Sequence, residues 1–159
     1  MNIMLCPRTE ETVTVYFEKA QHPAIRRTLL QKARTVEEAI ADFAKTQLPG
    51  ATSYGRTVYT DGRYVGDVWI YAIDPADTPT AMLSYCIFEK DVWGKGVATE
   101  AVRLFLEEVQ PKYELRTVGA FTYAENAASI RVLEKNGFTL EDEFTEDGIA
   151  SRYYQRRIL

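Results

Sequence analysis

The chain has 159 residues, the length of one ordinary domain, and its 46% hydrophobic and 26% charged residues supply a core that needs no disulfide or metal. A net charge of −4 argues against a nucleic-acid partner and suits a cationic substrate. Two cysteines without metal-ligand spacing and a single histidine leave no Cys/His zinc site, and the absence of a signal-peptide pattern or a membrane-length apolar run completes the expectation of a cytoplasmic protein with reduced thiols.

Ile3 to Cys6 is a short apolar run stopped by Pro7, which predicts a first strand. Thr9 can cap a helix whose first turn carries Glu10 and Glu11 and whose apolar face is Val13, Phe17 and Ala20. Pro23 restarts the chain after His22, and Ala24 to Leu30 predicts a short helix. Thr35-Val36-Glu37-Glu38 has the capping-box spacing; Val36, Ala39, Ile40 and Phe43 follow at helical intervals, ending before Pro49-Gly50.

From Thr52 the period changes to two. Tyr54, Arg56, Val58 and Thr60 alternate with their neighbours, Asp61-Gly62 is a hairpin turn, and Arg63 to Ala72 predicts the returning strand. Asp74 to Pro79 is a loop, and Thr80 to Phe88 is the next strand. A helix is expected from Thr99 to Val109, ended before Pro111, then a strand from Arg116 to Thr122. Asn126 to Asn136 predicts a helix with Asn126 as N-cap and Gly137 at its exit. Phe138 to Phe144 and Ser151 to Ile158 close the chain as an antiparallel pair around Asp147-Gly148. With no repeat and no linker, the order predicts a single α+β domain over residues 1–159, with helices on both faces of one mixed, mostly antiparallel sheet.

The chemistry concentrates at Val92-Trp93-Gly94-Lys95-Gly96-Val97-Ala98-Thr99-Glu100, between an apolar strand and a helix. Two glycines one residue apart remove side chains where a strand becomes a helix and leave backbone N–H groups bare at a helix N-terminus, an anion site to which Lys95 adds a cation. The same residues also fit an ordinary Gly-rich turn. A nucleotide P-loop is disfavoured, because no Gly-Lys-Ser/Thr stands at the required spacing.

Together with Asn126-Ala127-Ala128-Ser129-Ile130-Arg131-Val132-Leu133-Glu134-Lys135-Asn136-Gly137-Phe138, this stretch resembles the GNAT superfamily of acetyl-CoA-dependent N-acetyltransferases. The resemblance is greatest to the branch that includes the ribosomal-protein alanine and serine N-acetyltransferases, whose opening is similar to Cys6-Pro7-Arg8-Thr9-Glu10-Glu11. It implies a GNAT-like fold with a splayed strand pair, and acetyl-pantetheine between Tyr85–Phe88 and Val118–Tyr123. It also implies a CoA pyrophosphate held by the backbone of Trp93, Gly94, Lys95, Gly96, Val97, Ala98 and Thr99. Asp91 departs from the Gln or Arg the family prefers three residues before the first glycine, an acid that must point away from a pyrophosphate.

Asn126 matches the Asn that bonds the cofactor arm, and also reads as a plain cap. Ser129 matches a Ser near the cofactor sulfur, where it can donate a proton to the thiolate; Leu133 stands where many relatives carry a Tyr. Arg131 and Lys135 suit the 3′-phosphate of CoA or a solvated helix face. For the general base the carboxylates are Glu89 and Glu125, with a water relay equally open. Cys86 is either a thiol nucleophile or a small buried hydrophobe. Tyr153 and Tyr154 alternate, one toward the acceptor and one toward the core.

The implied function is direct attack of a primary amine on acetyl-CoA in a ternary complex, with no metal, and with a protein N-terminal amine or a small-molecule amine as acceptor. The reading from another class is a CoA-binding regulatory module without significant transfer. Neither nucleic acid nor membrane is an expected partner, and a monomer or homodimer is expected.

Overall fold

The computed structural model describes residues 1–27 and 33–158; the Thr28–Leu30 end of the expected second helix lies outside them. The elements run β1 (Ile3–Pro7), α1 (Glu10–Lys19), α2 (Pro23–Arg26), α3 (Val36–Thr46), β2 (Tyr54–Thr60), β3 (Arg63–Asp74), β4 (Thr80–Ile87), α4 (Val97–Tyr113), β5 (Thr117–Tyr123), α5 (Ala127–Lys135), β6 (Thr139–Glu146) and β7 (Ile149–Arg157), with a 3₁₀ turn at Lys90–Val92. The seven strands form one sheet in the order β1-β2-β3-β4-β5-β7-β6. Among the described residues its only parallel pair, β4 with β5, is held by three partners: Thr80↔Thr117, Ala81↔Val118 and Met82↔Gly119. Beyond Met82 the two strands part, while β4 stays paired to β3 through Ile87 and β5 to β7 through Tyr123. That parting is the feature that positions the site.

Local chemistry explains the elements. Thr9 accepts from the Thr12 N–H at 3.1 Å while the Thr12 hydroxyl accepts from the Thr9 N–H at 2.9 Å, a reciprocal cap on α1. At α3 the box is displaced by one residue: Thr35 accepts from the Glu38 N–H, but the Glu38 carboxylate takes the Arg34 N–H rather than that of Thr35. Asp61-Gly62 and Asp147-Gly148 both have positive φ at each residue, as tight hairpins require.

The alternation of the strands divides the sheet between two cores. Val58, Val68, Ile70, Leu83, Val118 and Tyr154 face α4 and α5, packing on Val102, Phe105, Leu106 and Val109. On the other face Cys86 and Phe88 pack with Ala20 and Ile25. At Gly66, β4 backbone leaves no room for a side chain: a Cβ there would lie 2.2 Å from the Cys86 carbonyl oxygen. Because backbone is the obstacle, Gly66→Ala is expected to destabilise the fold by about 1–3 kcal/mol or more, read as a fall in Tm with coincident loss of secondary and tertiary signals.

Two boundaries differ from the sequence reading. Helix α4 begins at Val97, not Thr99, because Gly96 in the left-handed region (φ +81°) takes the N-cap position without any side-chain cap. The Thr99 hydroxyl does not cap; the Thr99 carbonyl instead accepts from Asn136 Nδ2 at 3.2 Å. The helix also runs through Pro111 to Tyr113. Proline forfeits one bond in the last turn, and that turn is closed by Glu114 in the left-handed region, with the Leu115 N–H donating to the Gln110 carbonyl at 3.0 Å.

Candidate active site

The parted ends of β4 and β5 open a cleft of about 500 Å³, floored by Leu83, Tyr85 and Ile87 and walled by the starts of α4 and α5. At one end, Gly94 (φ +75°) and Gly96 turn the chain into α4. No acceptor among the described residues takes the backbone N–H groups of Gly94 through Thr99, and a Cβ built on either glycine meets nothing within 4 Å. The turn therefore presents a row of bare donors to open space at the positive end of a 17-residue helix, the arrangement that binds phosphate oxygens. It is braced on both sides. Trp93 Nε1 donates to the Ile87 carbonyl at 2.7 Å, pinning the turn to the end of β4. Asn136, buried at the exit of α5, holds the Thr99 and Val132 carbonyls through Nδ2, while its own carbonyl accepts from Arg156 at 3.0 Å.

Asp91, expected to disturb this turn, is engaged by Arg63 at 2.7 Å. That guanidinium holds the carboxyl below its usual range.

At the other end, α5 enters the gap. Asn126 caps it by accepting from the Ser129 N–H at 3.1 Å, so the Ser129 hydroxyl is released from capping. Its Oγ lies 2.7 Å from the hydroxyl of Tyr85, which reaches across from β4 and also donates to the Ser129 carbonyl at 3.2 Å. Burial pushes Tyr85 up to about 12, against a smaller opposing effect of the Ser129 bond, so it stays protonated through the physiological range.

Trp93, Gly94, Gly96, Val97, Ala98, Thr99, Asn126, Ser129, Arg131 and Lys135 all line this one cleft. Lys95 points to solvent. Glu89 and Glu125 are not among the lining residues: Glu89 pairs with Lys19 at 2.9 Å and Glu125 is exposed. Cys86 lies at the cleft but is buried; that burial pushes its thiol up to about 12, which withholds the thiolate a nucleophile needs. Tyr154 is in the core, and Tyr153 lies against Phe121 on the opposite face, 5.2 Å between ring centres. Tyr153 crosses β5 over Gly119, where a Cβ would come within 2.5 Å of its hydroxyl.

Sequence reasoning did not place Tyr85 on Ser129, because nothing in the sequence gives the side chain across a parted strand pair. Asn136 was legible only as part of a helix exit. A second, open groove of about 1320 Å³ occupies the opposite face of the sheet, between α1, α3 and the β6–β7 turn. The two cavities share Ser84, Phe121 and Thr122, so they meet where β4 and β5 separate.

Residues 2–139 match the profile of the acetyltransferase (GNAT) domain. The chain belongs to the GNAT acetyltransferase family. A stretch of 88 residues is 35% identical to the probable N-acetyltransferase YjcK of Bacillus subtilis (strain 168), covering 55% of this chain and 48% of that protein, so the match spans about half the curated relative. Among solved structures the chain is similar to RimL, a ribosomal L7/L12 alpha-N-protein acetyltransferase in complex with coenzyme A. The TM-score is 0.83 at 18% identity, over 99% of this chain and 95% of that one. It is likewise similar to aminoglycoside acetyltransferase AAC(6')-Ib with coenzyme A, at TM-score 0.80 and 17% identity over 98% and 95% of the two chains. At these identities the structural likeness establishes the GNAT fold alone.

No group of His, Cys, Asp or Glu among the described residues can hold a metal, and no helix among them is long and apolar enough to cross a membrane.

Proposed function

We propose that this GNAT-family protein is an acetyl-CoA-dependent N-acetyltransferase acting on primary amines by direct attack in a ternary complex. The observation that carries this is the meeting of two grooves at one gap in the sheet, with bare N–H donors at the far end of one of them. Acetyl-CoA supplies the activated acetyl thioester. The row of N–H groups from Gly94 to Thr99 fits its pyrophosphate, and the apolar floor of Leu83 and Ile87 fits the pantetheine arm. Arg131 and Lys135, at the mouth, are the cations for the 3′-phosphate.

The chain's own groups then do three things. Backbone of β4 beyond Met82 and β5 beyond Gly119 has lost its strand partner at the gap and can align the acetyl carbonyl. Ser129, hydrogen-bonded to Tyr85, delivers its proton to the leaving sulfur and regains one through Tyr85 from the water that has taken the amine's proton, so both hydroxyls end the cycle protonated. The amine enters from the second groove, where Asp42, Asp67, Glu146 and Asp147 outnumber Arg8 and Lys45 and favour a cation. Because Glu89 is paired with Lys19 and Glu125 points outward, we assign deprotonation of the amine to water at the gap rather than to either carboxylate.

We further infer a cytoplasmic protein with two free thiols, Cys6 and Cys86, acting as a monomer or homodimer. The test of the transfer reading is thiol release from acetyl-CoA across protein N-terminal peptides, polyamines, amino acids and aminoglycosides, with intact mass confirming the acetylated product. A chain that binds CoA and releases no thiol with any of them is a regulatory module instead.

The pH profile is a second expected outcome. The attacking amine must be neutral, so with chemistry limiting, kcat/KM rises from neutral to alkaline pH. Tyr85 at about 12 keeps its proton over that whole range, so no falling limb is expected below about pH 11. A flat profile would remove the deprotonation, and a fall near pH 9 would place the acid elsewhere.

A further inference from the structure

The second groove contains a charged group that the transfer reading does not use. Arg8 leaves the end of β1 and lies flat against the sheet, stacked on the backbone of Gly55, where a Cβ would come within 2.3 Å of Cζ. On the same side its guanidinium sits 5.4 Å from the ring centre of Trp69, and Gly55 and Trp69 are register partners. Its Nε donates to Asp67 Oδ2 at 3.0 Å, with side-chain exposures of 16% for Arg8 and 4% for Asp67. The other Asp67 oxygen is taken by the hydroxyl of Tyr64. The guanidinium is thus fixed in plane, in angle and in depth.

Its two terminal amino groups, Nη1 and Nη2, have no acceptor among the described residues, and neither is sealed from solvent. Since Arg8 lines the groove, this end-on fork opens into it. A planar pair of donors held rigid beside an apolar ring matches a carboxylate with two parallel bonds. One fork suits a monoanion.

The fork also has a defined relation to the gap. Gly55, Trp69 and Ser84 are successive register partners across β2, β3 and β4, and Ser84 is shared by both grooves. With neighbouring strands about 4.8 Å apart, the fork over Gly55 lies about 10 Å from Ser84 at the edge of the gap.

Resting on the acetyl-transfer reading, we propose that Arg8 is the specificity residue for the acceptor, which is an amine carrying a carboxylate several bonds from its nitrogen. The part-buried Arg8–Asp67 pair is a built-in carboxylate anchor, Asp67 fixing the fork and Trp69 and Gly55 confining it. An acceptor anchored there lays its chain along the row toward Ser84 and presents its amine at the gap.

The experiment uses ω-amino carboxylic acids from glycine to 8-aminooctanoic acid, each beside its own carboxamide, in the thiol-release assay. For the wild-type protein the acids of intermediate length are expected to have KM values roughly ten- to a hundred-fold below their amides, the usual worth of hydrogen bonds to a charged group. In the double variant Arg8→Met/Asp67→Asn, chosen so that no unpaired charge stays buried, KM for the acids should rise to that of the amides. KM for the amides and kcat for both should hold, whereas mere structural damage would move the amides too. Equal KM for acid and amide in the wild type, turnover confined to amines without a carboxylate, or no turnover of any acid each overturn the proposal. So does an acid preference that survives the double variant. CoA affinity by calorimetry and release with neutral amines report separately on the transfer reading.

Discussion

Replacing Ser129 by alanine is expected to lower kcat by roughly tens to thousands of fold while CoA affinity stays within a few-fold of wild type. The geometry separates the two roles a first-turn serine can have. Capping of α5 is done by Asn126 through the backbone N–H of Ser129, so alanine keeps that bond and the helix with it. What alanine removes is the hydroxyl 2.7 Å from Tyr85. A purely structural Ser129 would lower Tm and spare kcat; an acid would lower kcat and spare Tm.

Tyr85→Phe should fall in the same range, because the phenol is the proton's source behind Ser129. If the two act as one relay, the double variant will be little worse than the worse single variant. Additive losses would mean that the two hydroxyls act independently. Wild-type kcat in both single variants would move the acid off this pair, with Tyr123 the phenol left at the gap.

The second large effect is expected at Gly96. Gly96→Val should weaken CoA binding by at least about a hundred-fold, since the branched side chain stands where the phosphate must approach and each lost bond to a charged oxygen is worth roughly ten-fold or more. The substitution also strains the backbone, because Gly96 sits at φ +81°. A left-handed conformation costs an ordinary residue about 1–2 kcal/mol. Gly148→Val is the matched control: φ is +77°, a Cβ there meets nothing within 4 Å, and the position is the β6–β7 turn, away from the cleft. It should lose similar stability and no CoA affinity. Equal losses of affinity in the two variants would assign the Gly96 effect to strain rather than to the phosphate.

Local signals carried most of the fold. Period-two alternation from Tyr54 to Tyr71, the Asp-Gly turns and the Thr9, Thr35 and Asn126 caps each act within a few residues, so the chain displays them directly. Helix α4 starts two residues before the expected Thr99 because the left-handed turn at Gly96, a fact of the backbone, takes the N-cap position. Pro111 was read as a stop, yet a last turn tolerates the missing N–H when a left-handed residue such as Glu114 closes it.

The turn of bare donors at Gly94 and Gly96 was legible because its donors are backbone and its glycines are in sequence. The contact between Tyr85 and Ser129 was not, since they are 44 residues apart and meet only because β4 and β5 separate. Neither was the pairing of Glu89 with Lys19, which depends on where α1 packs. Arg8 was visible only as part of an opening motif. Its confinement needs Gly55 and Trp69 to be register partners, a fact of the sheet.

The most direct measurement of the central claim is an amide proton–nitrogen correlation spectrum of the protein titrated with CoA and, separately, with pantetheine. The account predicts that CoA shifts the amides of Gly94, Lys95, Gly96, Val97, Ala98 and Thr99 strongly downfield, as bare donors acquire phosphate oxygens. Pantetheine should leave those six unmoved and perturb only the gap, from Ser84 to Ile87 and from Ala120 to Tyr123. Identical spectra for the two ligands, or CoA-dependent shifts that miss the turn from Gly94 to Thr99, would contradict it.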